Sequence, residues 1–568
     1  MLAAFTSKPI DLSKGDMFFY ADHLSPLWYI TVIIVMVCTL SSSSKFLRFF
    51  SLTLLVGLFY GFPAMLLINP RINDQYPFMA EPLYVLLHGH LGNVHETYRS
   101  PGLALFFSQL LLTMGLKLST IENIRFLSDF FALMNPIVIT LILMVLSSRL
   151  NSNPTVSILL FLSFSYVYTM DFFHRQTFSI PLFFLLIYSI VKKNNLMVIV
   201  SSIALVFMHP GTPLFTWIAM AVSFTFLFPL KRLFRKNRFE NNVITVFFYA
   251  MITLIVSWFG FHSATTYSIL PPVVGAFEGF IRDVIEGSEL LAVEKVAVGT
   301  TAEFRQLILI PRIMLMGTYL IIFWLVVLVN FLLILKRKLP VPVTLTIFTL
   351  FHIGFIPQVV PFIYWGIFNI RALLFVIYSS IFISPLHFSL AKQLISEKKV
   401  FSQNILRFFR QFIIATSIVS IILGPLLTYA TVPFLHSSTA EIYAQQFVEL
   451  KYDRENSMEP VAVTEYPVWI FYVLAEGDTV LTGIPENSTQ VISDVNTGRY
   501  EVLVVGRHVT REPFYAPTGI LFGSGKVETQ SEFISKVVAY GDDHWNRVLD
   551  FSYNNQNLSS IVVVYVRG

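Results

Sequence analysis

The stretch Pro311–Lys338, PRIMLMGTYLIIFWLVVLVNFLLILKRK, decides the class of this chain. Between Arg312 and Lys336 it carries no charged residue, and a run of that length meets the roughly 20 apolar residues a helix needs to cross a bilayer. It closes on KRK, the kind of basic cluster that stays on the cytoplasmic side of a membrane. The expected span within it is 311–335, and comparable runs lie near 24–41, 47–69, 126–148, 155–170, 178–191, 196–209, 212–230, 243–261, 341–362, 371–391 and 412–435, so the expected architecture is a polytopic α-helical membrane protein with about twelve transmembrane helices. Composition points the same way. The 568 residues are 55 % hydrophobic and 13 % charged, with mean hydropathy +0.68, where an ordinary soluble domain carries roughly 25 % charged residues. A soluble globular protein is excluded. The lone Cys38 excludes a disulfide framework and a cysteine zinc site.

Charge divides the chain near His436. Of 39 Lys+Arg and 34 Asp+Glu, 9 and 17 fall in residues 436–568, which leaves 30 and 17 for the first 435. The basic surplus of the membrane part sits in Lys192/Lys193, Lys231–Arg238, Lys336–Lys338 and the segment Lys392–Arg410. Placing all four on the cytoplasmic side explains it, and no nucleic-acid partner is expected. The external loops 69–125 and 262–310, the turns at Asp171 and His209, the turn before Arg371 and the tail then share the opposite, extracytoplasmic side. That orientation requires Pro101–Leu118 to lie in or along the membrane without crossing it, as a chain shielded by protein is able to do. In 436–568, short β-rich runs such as Val461–Thr464, Glu501–Val505 and Ile561–Tyr565 alternate with turns. They predict a small C-terminal α/β domain after a membrane domain of residues 1–435. Asn487-Ser-Thr and Asn557-Leu-Ser fit glycosylation tripeptides and are compatible with that side. No GxxxxGK[ST] phosphate loop occurs, so the chain carries no nucleotide engine of that kind.

Loop 69–125 is the richest in chemistry. Asp74 follows an apolar run almost directly, and Tyr76, Glu81, His88, His90, His95, Glu96 and Arg99 follow it. A carboxylate at the membrane surface with its pKa raised by burial is a candidate general base, and it is equally a ligand for a divalent cation. The plain alternative for Asp74 is the N-cap of the next helix. The turn Tyr168-Thr-Met-Asp171-Phe-Phe-His174-Arg175 offers a second acid and a guanidinium suited to phosphate; snorkelling at a helix end is the alternative for Arg175. His209-Pro-Gly-Thr-Pro places a histidine at a helix junction, either against a sugar hydroxyl or as a turn cap.

The order Asn73-Asp74-x-Tyr76-x-Phe78, an amphipathic helix ending at Gly89, then Tyr98-Arg99-Ser100-Pro101-Gly102 opening a second one, resembles the first external loop of the GT-C-fold membrane glycosyltransferases. The similarity is greatest to catalytic subunits of oligosaccharyltransferases. The resemblance implies that Asp74 is catalytic, as acceptor base or as metal ligand, with Tyr76, Glu81, Arg99, His174 and His209 lining the substrate site. It also implies that Arg371, opening a helix after Tyr364-Trp365-Gly366, stands near the donor phosphate together with Arg175. The second acidic motif carries Asp171 alone, so a Mg²⁺ or Mn²⁺ ion would have Asp74 and Asp171 as protein ligands and would draw the rest of its shell from water and phosphate. The tail lacks the WWDYG signature that reads a glycosylation sequon. The expected function is therefore inverting transfer of a sugar from a polyprenyl-phosphate (dolichyl-phosphate-like) donor to a lipid, glycan or protein acceptor on the extracytoplasmic face of a cell membrane. The alternatives are a transporter or lipid flippase, for which Asp129, His352 and His387 are the mid-helix ionisable residues, and a scaffold whose tail binds partners.

Overall fold

In a computed structural model of the chain, the described residues are 24–66, 75–90, 101–114, 121–150, 152–164, 175–233, 241–262, 310–337, 343–365, 369–396, 411–412 and 414–423. In the tail they are 461–463, 502–505, 546–550 and 563–566, and isolated pairs and single residues lie within 274–285, 492–493 and 539–543. Thirteen helices are assigned among them: α1 Pro26–Ser41, α2 Lys45–Leu66, α3 Gln75–His88, α4 Pro101–Met114, α5 Ile121–Arg149, α6 Pro154–Ser163, α7 Arg175–Val191, α8 Asn195–Met208, α9 Gly211–Leu233, α10 Asn241–Phe261, α11 Ile310–Arg337, α12 Val343–Trp365 and α13 Asn369–Ser396.

Local chemistry sets several of their ends. Ser25 caps α1 and Asn153 caps α6, each by accepting a backbone N–H two residues on, with proline in the first turn. The α7–α8 turn is a Schellman motif: Asn194 N–H donates to Ser189 C=O and Lys193 N–H to Ile190 C=O. Lys193 adopts φ 57° to close it, and the Asn194 side chain then caps α8 through Met197 N–H.

The core is apolar, and so is much of the outer surface, where a water-soluble protein would be polar. Along α11, Met314, Ile321, Leu325, Leu328, Leu332 and Leu335 face outward, with Ile321 63 % exposed, while Asn330 on the opposite face is 1 % exposed. A stripe at helical spacing that exposes leucines and hides an asparagine loses free energy in water and suits an apolar solvent. Ile30, Ile33, Ile34 and Val37 make a similar stripe on α1. Among the described residues, three helical segments are long and apolar enough to cross a membrane: Val243–Phe261, Met314–Leu335 and Leu373–Ala391.

An aromatic hub ties α7, α9, α12 and α13 together. Phe183 lies 5.3 Å from Phe375, Phe355 stacks on Phe375 at 5.6 Å, and Phe215 reaches Phe375 at 5.8 Å between ring centroids. Two glycines permit the closest backbone approaches. A Cβ on Gly354 of α12 would sit 2.7 Å from Ala219 Cα of α9, and one on Gly102 of α4 would sit 2.8 Å from the Phe207 carbonyl group of α8.

Several boundaries depart from the sequence reading. The helix expected over 155–170 stops at Ser163, where Phe164 leaves helical geometry and its N–H bonds back to Leu160 C=O. Helix α13 runs past Lys392 to Ser396, because flanking polar residues extend a helix beyond its apolar section. Helix α4 is described over Pro101–Met114, and residues 115–118 of the expected run lie outside the described residues. In the tail, β1 Val461–Val463, β2 Val502–Val505, β3 Asn546–Asp550 and β4 Val563–Val566 form a mixed sheet in the order β1-β2-β4-β3. Strand β1 runs parallel to β2, β4 is antiparallel to β2 and β3, and a bulge lies between Arg547 and Leu549.

Candidate functional site at the α7, α8, α9 and α10 termini

Four helix ends converge: α7 and α9 by their first turns, α8 and α10 by their last. Arg175 is the first residue of α7 and is half-buried; Gln176, Thr177 and Ser179 behind it are fully buried. Ser179 Oγ donates to Gln176 C=O at 2.7 Å and lies 2.8 Å from Thr212 Oγ1 on α9. His209, 2 % exposed, fills the α8–α9 junction. Thr212 N–H donates to His209 Nδ1 at 2.8 Å, and Thr212 Oγ1 lies 2.9 Å from the same nitrogen. The Nδ1 lone pair thus caps an N–H at the start of α9, which fixes the neutral ring with its hydrogen on Nε2. Gly211 leaves room for that ring, since a Cβ there would lie 3.1 Å from His209 Cε1.

The α10 end is pinned to the same junction. Trp258 Nε1–H donates to Pro210 C=O at 2.8 Å, and His262 Nε2–H donates to Val206 C=O at 2.8 Å. Phe207 and Phe261 rings meet at 3.9 Å. His262, directly after the span Val243–Phe261, has its pKa lowered, chiefly by burial; its bond to Val206 opposes this, and the positive charge of Arg175 adds to it. A neutral histidine and a cationic guanidinium share this end of the bundle with two helix N-termini and two C-termini; the dipoles of the two kinds of end oppose one another, so the group here that favours an anion is the Arg175 guanidinium.

Of the residues singled out from sequence, the structure brings Arg175 and His209 to this end and adds His262. The sequence reading missed His262 because its partners, Val206 and Arg175, are distant in the chain; the Trp258-x-x-x-His262 spacing on one helix face is the only local signal. Glu81 on α3 is 9 % exposed. Tyr76 lies in α3 and Arg371 in the first turn of α13, but their side chains are outside the described residues. Asp74, Arg99, Asp171 and His174 are outside them altogether, as are all side-chain facts about Asp129. Helix α3 begins at Gln75, immediately after Asp74 in sequence. Among the described residues no group of three His, Cys, Asp or Glu is placed to hold a metal. Asp74 and Asp171, the carboxylates expected to hold Mg²⁺ or Mn²⁺, lie outside the described residues. No family model matches the chain, and no curated protein matches it in sequence.

Proposed function

We propose that the chain is a multi-pass membrane glycosyltransferase of GT-C type, with about twelve spans and a C-terminal α/β domain of residues 436–568 on the extracytoplasmic side. It takes a sugar from a polyprenyl-phosphate donor and passes it to a lipid, glycan or protein acceptor. The observation that carries this reading is the meeting of Arg175, His209 and His262 at one end of the helices, the end that the positive-charge distribution assigns to the outside. Helix α4, from the sequence segment 69–125, reaches the same end, where Gly102 meets Phe207.

In this reading Asp74 takes the proton from an acceptor hydroxyl as its oxygen attacks the sugar C1. The C1–O bond to the phosphate breaks in the same displacement, inverting the anomeric centre. Polyprenyl phosphate leaves with the electron pair, its growing charge met by Arg175 and Arg371. Tyr76, Glu81, Arg99, His174 and His209 orient the reactants. The buried, already bonded Nδ1 of His209 restricts that residue to what its Nε2–H reaches.

The transporter reading needs ionisable groups along a path. His352 and His387, the described candidates, bond to Ser379, Asn330 and Thr349, all neutral, a pattern that suits helix adhesion better than ion passage. The two readings separate in one experiment: purified full-length chain with radiolabelled polyprenyl-phosphate sugars and membrane extract, Asp74→Asn beside wild type. Transfer by wild type alone supports the glycosyltransferase; substrate flux without transfer supports the transporter.

A further inference from the structure

Inside the bundle, away from the site above, α11, α12 and α13 enclose a seam of polar side chains whose hydrogens are all in use. Asn330 Nδ2 donates to His387 C=O at 2.8 Å and lies 3.2 Å from His387 Nδ1. That leaves the His387 hydrogen on Nε2, which donates to Thr349 Oγ1 at 3.0 Å, and Thr349 in turn donates to Leu345 C=O at 2.7 Å. Ser379 Oγ has two backbone acceptors for its one hydrogen, Phe375 C=O at 2.7 Å and Val376 C=O at 3.1 Å, and lies 2.8 Å from His352 Nδ1; with that hydrogen on the backbone, Ser379 accepts from His352, whose hydrogen then sits on Nδ1. Turning the Asn330 amide over would set its oxygen against the His387 carbonyl oxygen, so its orientation is fixed by the same bonds.

Two acceptors remain. Asn330 Oδ1 and His352 Nε2 are buried without a hydrogen-bond partner, in residues 1 % and 0 % exposed. Phe323 packs against both histidine rings, 5.0 Å from His352 and 5.9 Å from His387, so His352 and the Asn330–His387 pair line the same seam. Gln358, higher on α12, repeats the imbalance: its Nε2 serves Phe215 C=O and Gly354 C=O, and its Oε1 has no partner. What these atoms lack is donors. Buried acceptors of this kind are normally met by protein or ordered water. A metal cation would ask for a shell of several oxygens, whereas the seam presents one amide oxygen and one imidazole nitrogen.

We propose that the α11–α12–α13 seam is a hydration site, in which ordered water donates hydrogen bonds to His352 Nε2 and Asn330 Oδ1. His352 is then a water-contacted neutral imidazole in the midst of apolar helices, held by Ser379 on one side and by solvent on the other.

The test is ¹⁵N-histidine NMR of the full-length chain in lipid bilayers, with His352→Gln assigning the resonance. The expected result is a neutral ring with its hydrogen on Nδ1, and an Nε2 signal that is shifted as a hydrogen-bond acceptor and receives magnetisation from water. An Nε2 with no acceptor shift and no transfer from water, or one that carries a hydrogen, overturns the proposal. If His352→Gln does not fold, radiolytic labelling of wild type supplies the readout, because radicals formed from bound water oxidise their immediate neighbours. Phe323 should be oxidised more than Phe375, which is equally buried in the aromatic hub; equal labelling overturns the proposal.

Discussion

The α7–α10 termini and the α11–α13 seam are made of the same materials, histidine, hydroxyl side chains and amides, and differ in where the helices place them. At the termini, His209 and His262 bond to backbone groups that helix ends leave open, Thr212 N–H and Val206 C=O. A half-buried guanidinium stands with them. In the seam, His352 and His387 bond to side chains of neighbouring helices, with Phe323 between them. Helix ends gather partial charge and reach the surface, whereas a seam between helix middles has only its own groups to offer. The same residue types therefore suit chemistry in one place and adhesion in the other.

Removing the cation should separate the two regions most sharply. Arg175→Met is expected to weaken donor use by one to two orders of magnitude, the ~1.5–3 kcal/mol of a charged hydrogen bond, with thermal stability little changed. A rise in donor KM measures it, and an unchanged KM would leave Arg175 as a snorkelling residue. Gly354→Val acts on packing alone. The added atoms meet the Ala219 backbone, and a loss of about 1–3 kcal/mol is expected in thermal unfolding. A pH series isolates His262. Its lowered pKa means the unfolded chain binds a proton that the folded chain resists. Its contribution is therefore neutral above about pH 6.5 and destabilising as pH falls below it, by at most about 1.4 kcal/mol per pH unit. His262→Gln, which keeps a donor for Val206 C=O, should flatten the acid side of the stability profile relative to wild type. Smallest of all, Thr349→Val in the seam should cost about 0.6 kcal/mol, the usual worth of one interhelical hydrogen bond in a membrane. A loss several times larger would mean that the seam is more than adhesive.

Much of the fold is legible in residues. The run Pro311–Lys338 gave α11 to within a residue or two, because a lipid-length apolar helix is specified by composition alone. Strands Val461–Val463 and Val502–Val505 match their β-rich runs. Strand Asn546–Asp550 is not legible, since its sequence NRVLD alternates weakly and its place depends on pairing with β4. In the site, Arg175 and His209 are visible as polar residues at apolar boundaries. His262 and the orphan acceptors of Asn330 and His352 are not, because what distinguishes them is a partner gained or lacking across helices 27 to 57 residues apart in sequence, and no local pattern encodes that.

The central claim rests on Asp74 as the base. Label should move from a radiolabelled polyprenyl-phosphate sugar to an acceptor in membrane extract with the wild-type chain, and Asp74→Asn should lower that rate roughly 10²–10⁴-fold, the usual contribution of a general base. Full transfer by Asp74→Asn would contradict the account.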